Sequence, residues 1–438
     1  MNVFRVAPQS QGFTVEEAAE ILCSTIGIPS VESISLDDAG GRTLAETFVT
    51  PFPLPPFRRA AMDGYAIRSE ATCHASPSTP VSFQVKGRIL PGSIGLTIGE
   101  KDQAVRIFTG SPVPAGMDSV VMQERVEQEE VRGAASFIRI QHPCKRGEHV
   151  AEAGEDLEEG VAAVAKGTKL GAKEAAILAS FGMQRVTVYS RPKVAVIPIG
   201  NELILPKEAR GPHQIYDANG LMTEMRLREL GASVIRFPPV QDDPEAIVRN
   251  LTKAYELTGL VITIGGISVG DCDFAAEAAE RSGAVPLFRK VKMRPGKPTS
   301  GFRHRQHTVI CLSGNPSACY AGLELLVRPV VLKACGHTGY QYQVSKGVLA
   351  ADVIRPSPYT RYLRSFANMQ DGRLVIYPLG RDRAGNIGAF SQTNAFAVIP
   401  PGGKGSAAGE QIQVILLDHW RQQDGNGKED FSSWIESN

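Results

Sequence analysis

Apolar residues along this chain change their spacing several times, and each change predicts a different kind of element. Near the start, Val15, Ala18, Ala19 and Leu22 recur at helical spacing. Thr14 stands ahead of them as a helix cap, with Glu16 and Glu17 in the first turn. The pattern predicts a helix over about 14–26 and a second helix-like stretch at LDDAGGRTLAE. Pro51, Pro53, Pro55 and Pro56 then put four prolines into six residues, which makes a stiff, extended connection. From Val81 to about His142 the period falls to two, in VSFQVKG, AVRIFTG, SVVMQERVE and SFIRI, with LPGS and GSPVPAG between them as turns. Helix-like spacing returns after about 145, where Ala175, Ala176, Leu178 and Ala179 fit one face ended by Gly182.

After Arg191-Pro192 strand and helix alternate. VAVIPIG, SVIRFP and LVITI read as strands; DANGLMTEMRLRELG and DDPEAIVRNLTKAYEL read as helices, the second capped by Asp243 with Pro244 in its first turn. A last helix is expected near Ser317 to Lys333. That alternation predicts a doubly wound parallel sheet. Short strands return from Gly336 to Leu417, as a small β-barrel or sandwich, and the tail to Asn438 is polar apart from Trp434. The expected fold class is therefore multidomain α/β. It comprises a discontinuous domain (12–55 and 145–190), an inserted β-rich domain (56–144), a doubly wound α/β domain (191–335), a C-terminal β-barrel (336–418) and a tail (419–438).

The richest chemistry lies between Leu260 and Ala318. LVITIGGISVGDCDF and TVICLSGNPSA each run from an apolar strand into a turn, which is where open parallel sheets bind ligands. Gly265, Gly266, Ser268 and Gly270 fall in the first turn; Ser313, Gly314, Asn315 and Pro316 fall in the second. Glycine lets backbone N–H groups come close to an anion. Between the turns, FRKVKMRPGKPTSG places Arg289, Lys290, Lys292, Arg294 and Lys297 within nine residues. In an extended chain, Lys290, Lys292 and Arg294 share one face, and Val291 and Met293 the other. Glycine turns beside a cationic strand predict a site for a polyanionic small molecule. A Walker A loop and a GxGxxG fingerprint are both missing, so an ordinary NTPase or dinucleotide site is not supported.

Composition narrows the class. Lys+Arg number 47 against Asp+Glu 46, and a net charge of +1 argues against binding nucleic acid or a membrane surface. Seven scattered cysteines without a CxxC pair argue against a zinc knuckle or a disulfide framework, and Cys272 and Cys311 read as small apolar residues. With no apolar leader and no run of about 18 apolar residues, a cytoplasmic protein is expected.

Eight segments, in order, resemble the molybdopterin molybdenumtransferase family, which includes the cofactor-synthesis domain of gephyrin. They are PPFRRAAMDGYA, RIFTGSPVPAGMDSVVMQE, AGEDLEEG, IGNELI, IYDANG, GGISVGDCD, KMRPGKP and LSGNP. The resemblance covers roughly residues 12 to 415. It implies the last step of molybdenum cofactor assembly: adenylylated molybdopterin binds, molybdate enters the dithiolene, and the pyrophosphate linkage is hydrolysed to release AMP. A homodimer, with a partner subunit completing the pocket, and a handover from the preceding adenylyltransferase follow as expectations.

The resemblance also implies roles. Asp63, Asp156, Glu202, Asp273, Lys292 and Lys297 are expected to be catalytic. Thr109, Ser111, the two glycine turns, Arg294, Pro295 and Gly296 are expected to hold the substrate. Glu202, Asp243 and Asp273 are candidate ligands for Mg²⁺, a divalent ion suited to bridging phosphate oxygens. Asp63-Gly64 alone reads equally as a turn, and Asp243 as a helix cap. One departure concerns the positions before GED, where relatives carry arginine and this chain has Ala151-Glu152-Ala153. That change weakens substrate binding or passes the task to Arg146 or His149. In the last domain GNIGAFSQTNAFAVIP departs as well, from the hydrophobic-Ser-Ser spacing expected there. Two other readings stay open: a non-catalytic scaffold that binds cofactor precursors, and the preceding adenylylation step, whose enzymes read GGTG at the turn.

Overall fold

The computed structural model describes residues 12–93, 100–129, 136–267, 274–379 and 387–418. These divide into two compact units, one of residues 46–166 and 171–185, the other of the remaining chain. No helix among the described residues is long and apolar enough to cross a membrane.

The smaller unit is built on a six-stranded sheet. Its order is Ser119–Met122, Gly64–Ile67, Gln103–Ile107, Val81–Ile89, Phe137–Ile140 and Glu127–Glu129. Ile67, Phe83 and Ile138 are buried in one cluster and Ile107 and Val120 in another, and the strand Gly64–Ile67 is buried at every position. Gly64 opens the strand Gly64–Ile67 instead of closing a turn. A Cβ there would stand 1.9 Å from the Val121 carbonyl oxygen, so only glycine fits the close strand approach. The helix-like reading after 145 holds only for Ala172–Ser180, where Leu178 alone is fully buried. Residues before it make turns and two short strands, Val150–Ala151 paired with Arg59–Ala60 and Ala162–Val164 paired with Phe48–Val49. Gly147, Gly154 and Gly160 sit there at positive φ, which breaks helical continuity.

The larger unit starts with α1 (Val15–Ser24). The Thr14 hydroxyl accepts the Glu17 N–H at 3.2 Å while the Glu17 carboxylate accepts the Thr14 N–H at 2.8 Å, a reciprocal cap. The expected second helix is only a single turn at Leu36–Asp38, because Gly40 and Gly41 follow at once. The α/β elements are β1 (Lys193–Pro198), α2 (Ala218–Glu229), β2 (Ser233–Arg236), α3 (Pro244–Leu257), β3 (Leu260–Ile264) and α4 (Phe274–Arg281). They continue with β4 (Val285–Phe288), β5 (Ser300–His304), β6 (His307–Leu312), α5 (Pro316–Gly322) and α6 (Arg328–Ala334). The sheet order is β2-β1-β3-β6-β5-β4. The first four strands are parallel; β5 runs antiparallel to β6, and β4 antiparallel to β5, so only β5 points the other way.

Both faces of this sheet are covered. Val194, Val196, Ile262, Ile264 and Leu312 join α1, Leu227 and Val330 on one side. Ala195, Ile197, Val261 and Cys311 pack with Ile247, Leu251 and Ala275 on the other. That is why these strands read as unbroken apolar runs. A closed five-strand barrel follows: β7 (Val344–Leu349), β8 (Thr360–Gln370), β9 (Arg373–Pro378), β10 (Ala395–Ile399) and β11 (Gln411–Leu416). Each strand pairs with two others, ending with β10 back on β8. Closure leaves no free edge, which settles the barrel-or-sandwich choice.

Candidate active site

The chain leaves β1 toward β2 on one side and returns to β3 on the other. The switch point therefore lies at the carboxyl ends of β1 and β3, with β6 beside them. Three strand ends are stitched together there. The Ile199 N–H donates to the Ile264 carbonyl at 2.7 Å, and the Gly265 N–H donates to the Leu312 carbonyl at 3.0 Å. Gly265, at φ +94°, passes so close to β1 that a Cβ would stand 2.2 Å from the Ile199 carbonyl oxygen. Gly314 comes up against Gly265 less tightly: its Cβ would lie 3.3 Å from the Gly265 Cα. The two glycine turns of the sequence thus form one rim. Ser268, Gly270 and Asp273 lie outside the described residues, as do Cys272 and the tail with Trp434.

The cationic segment lies in the same unit, and a Cβ on its Gly296 would stand 3.5 Å from the Ala318 carbonyl of α5. Val291 and Met293 are buried while Lys290 and Arg294 are exposed and Lys292 is half-buried, so the alternation expected of an extended chain is present. Gly296, at φ +101°, folds the segment back and brings the Val291 N–H to the Lys297 carbonyl at 3.0 Å. The Lys297 ammonium rests 4.9 Å from the centre of the Tyr359 ring. Met293 and Arg294 pair in parallel with Thr360 and Arg361 of β8, so a barrel arginine, 3% exposed, stands in register with Arg294. Arg361 was not foreseen, because only the register across about 67 residues brings it there.

The expected carboxylates separate. Glu202 folds back over its own turn, where a Cβ on Gly200 would meet its carboxylate at 2.7 Å. Asp243 caps α3, accepting the Ala246 N–H at 2.9 Å. Its neighbour Asp242 faces the β1 turn instead: it accepts the Asn201 N–H and donates its own N–H to the Asn201 side chain, both at 3.1 Å. The cap is the aspartate that the sequence pattern predicts, the one directly before Pro244. Among the described residues, no group of three or more His, Cys, Asp or Glu could hold a metal ion. By themselves the described carboxylates form no cage for Mg²⁺, an ion that needs only one or two of them beside substrate phosphates.

Within the smaller unit, Asp63 and Thr109 come together. Asp63 Oδ1 accepts both the Thr109 N–H, at 2.8 Å, and its hydroxyl, at 2.7 Å. These bonds, then the nearby Arg106 charge, hold the Asp63 carboxyl below the ordinary carboxylate range despite some desolvation. Arg106 itself lies over the Tyr65 and Phe108 rings. Ser111 turns inward and donates to the Ile89 carbonyl at 3.1 Å. Arg59 pairs with Asp156 at 3.3 Å and Arg58 with Glu152 at 3.1 Å. The charge of the unexpected Glu152 is therefore balanced locally.

This chain matches the MoeA N-terminal region (domain I and II) over residues 13–182, a probable molybdopterin binding domain over 195–333 and the MoeA C-terminal region (domain IV) over 346–417. It is 33% identical to a molybdopterin molybdenumtransferase of Bacillus subtilis over 412 residues, 94% of this chain and 95% of that one. The chain belongs to the molybdopterin molybdenumtransferase family. A relative of that name from Staphylococcus epidermidis is 34% identical over 386 residues, covering 88% of this chain and 91% of its own. Two structures of molybdopterin biosynthesis MoeA proteins from Pyrococcus horikoshii superpose with TM-scores of 0.81 and 0.79. They are 31% and 28% identical and cover 94% and 93% of this chain and all of theirs. The rim and the cationic segment both fall inside the molybdopterin-binding match. Asp63, Thr109 and Asp156 fall inside the N-terminal one.

Proposed function

We propose that this protein inserts molybdate into adenylylated molybdopterin and releases AMP. The observation that carries the reading is the glycine rim at the ends of β1, β3 and β6, with Lys292, Arg294 and Lys297 in the same unit. A diphosphate needs closely approaching N–H donors and charge-assisted partners, and these residue types supply both. Water attacks one phosphorus of the linkage, and the bond from that same phosphorus to the bridging oxygen breaks, the oxygen leaving with the other phosphate. AMP leaves and the pterin keeps its phosphate monoester. Lys292 and Lys297 stabilise the charge that gathers on the bridging oxygen as it leaves. The dithiolene sulfurs take up the metal as molybdate oxygen is lost to water.

Asp63, held ionised by Thr109, and Asp156 are proposed to serve the same reaction as fixed negative charges. Homodimeric assembly, a cytoplasmic location and handover from an adenylyltransferase belong to the proposal too, on the strength of family membership. The scaffold reading draws on the missing arginine before GED; the Arg58–Glu152 pair offsets the added carboxylate but supplies no cation in its place. The test is direct. Purified protein receives adenylylated molybdopterin, molybdate and Mg²⁺; release of AMP together with metallated cofactor supports the proposal, and binding without turnover favours the scaffold.

A further inference from the structure

The rim carries a set of groups that the cations do not explain. Asn219, in the first turn of α2, donates its Nδ2 to the Gly314 carbonyl at 2.7 Å. Because a carbonyl can only accept, that bond fixes which end of the amide is oxygen. The Asn219 Oδ1 is buried and has no hydrogen-bond partner among the described residues. Asn315 Oδ1, one residue beyond Gly314, is in the same state, and so is the Ser317 hydroxyl on a side chain 3% exposed. A buried acceptor without a donor is costly, and a native structure keeps one where a ligand answers it.

The amide is also held in place. Asp217 caps α2 by accepting the Gly220 N–H at 2.7 Å, and Arg236 ties Asp217 to Glu224 with bonds of 3.2 and 2.6 Å. At the far end of α2, Arg226 grips the buried Glu324 just beyond α5. Asn219 is therefore preorganised on rigid elements. Amide oxygens repel phosphate and molybdate oxygens, so neither anion can satisfy them. What they require is a hydrogen-bond donor, and the amino group of a ring is one that such a ligand brings.

We infer that Asn219 is a specificity-determining residue: its nitrogen positions the Gly314 turn, and its oxygen accepts an N–H from an amino-substituted ring, adenine or pterin, with Asn315 as a second acceptor. The inference rests on the reading that the rim binds an adenylylated pterin. It adds a division of labour, with cations for the diphosphate and asparagine oxygens for the ring.

Paired probes test it on the full chain by calorimetric titration. AMP against IMP exchanges the adenine amino group for an oxygen; pterin against lumazine does the same for the pterin ring. Wild-type protein is expected to favour the amino member of one pair by about tenfold or more, since the oxo member sets acceptor against acceptor, and the responding pair names the ring. In Asn219→Ala the preference should shrink to about twofold. A purely structural role for Asn219 would weaken both members alike and leave the preference intact. Equal affinity within both pairs, persistence of the preference in Asn219→Ala, or binding of neither ring while pyrophosphate binds would each overturn the inference. Failure of pyrophosphate to bind the wild type would instead remove the reading of the rim on which the inference stands. A melting curve matching wild type confirms that the variant is folded, and Asn315→Ala, expected to lower the preference in part, replaces it otherwise.

Discussion

Replacing Arg226 with Met removes the partner of a wholly buried carboxylate. Glu324 has no exposure. It accepts Arg226 Nε at 2.7 Å, Arg226 Nη2 at 3.1 Å and the Tyr342 hydroxyl at 2.6 Å. Burial works against the Arg226 charge, but Glu324 and Asp418 outweigh it and hold the guanidinium firmly protonated. Without the arginine, Glu324 keeps only Tyr342. Breaking a buried pair in this way costs about 3–5 kcal/mol. Protonation of the carboxyl caps that loss. Holding a glutamic acid neutral at pH 7, against an unfolded value of about 4.3, costs roughly 1.4 kcal/mol per pH unit, or about 3.7 kcal/mol. The expected loss is therefore about 3–4 kcal/mol at pH 7. It should shrink to about 1 kcal/mol at pH 5, because the carboxyl then protonates almost as readily in the unfolded chain.

Urea unfolding of wild type, Arg226→Met, Glu324→Gln and the double variant at both pH values measures this. The double variant should recover most of the loss, since the unpaired charge is gone. A single-variant loss that does not vary with pH, or a double variant as unstable as Arg226→Met, would refute the reasoning. The outcome matters for the rim. The same clamp fixes α2, whose first turn holds the Gly314 carbonyl through Asn219.

Asp418 closes the other side of this network, and its carboxyl is lowered to about 2: burial alone would raise it, but the Arg328 and Arg226 bonds and charges prevail. A depressed carboxyl stabilises the fold above its unfolded value of about 4 and loses that contribution as pH falls toward about 2. Asp418→Asn should thus melt below wild type at pH 7, and the gap should close between about pH 4 and 2; a gap constant over that range contradicts the pairing. Thr109→Val deletes one of the two bonds to Asp63, so the Asp63 carboxyl should titrate at higher pH. Carbon-detected NMR titration would expose an unmoved midpoint. Lys297→Ala should weaken binding of the phosphate-bearing precursor by about 1–3 kcal/mol, the worth of a charge-assisted hydrogen bond, and unchanged affinity in a titration counts against the cationic cradle.

What could be read from the sequence was local. Thr14 and Asp243 cap helices because a short polar side chain ahead of an apolar period has few other uses. The Lys290–Arg294 alternation follows from strand geometry alone, and the glycine turns from the apolar runs that lead into them. What escaped depends on register between distant segments. Arg361 meets Arg294 only because β8 pairs with that stretch, and Asp242 meets Asn201 only because β1 and β2 lie side by side. Glu324 sits in a run, LELLV, whose helical spacing hides it. There the helix widens over Leu323–Val327, and the carboxylate is turned onto Arg226. Polar residues with two duties, such as Asn219, leave no periodic trace at all. The departure at Ala151-Glu152-Ala153 removes a cation and adds a carboxylate; Arg58, five residues before Asp63, pairs with that carboxylate across the register of two short strands.

The decisive measurement is the crystal structure of this protein soaked with adenylylated molybdopterin. The account places the diphosphate between the Gly265–Gly266 and Ser313–Pro316 turns, with Lys292 and Lys297 on its oxygens. Density for the ligand elsewhere, with those turns bare, would contradict it.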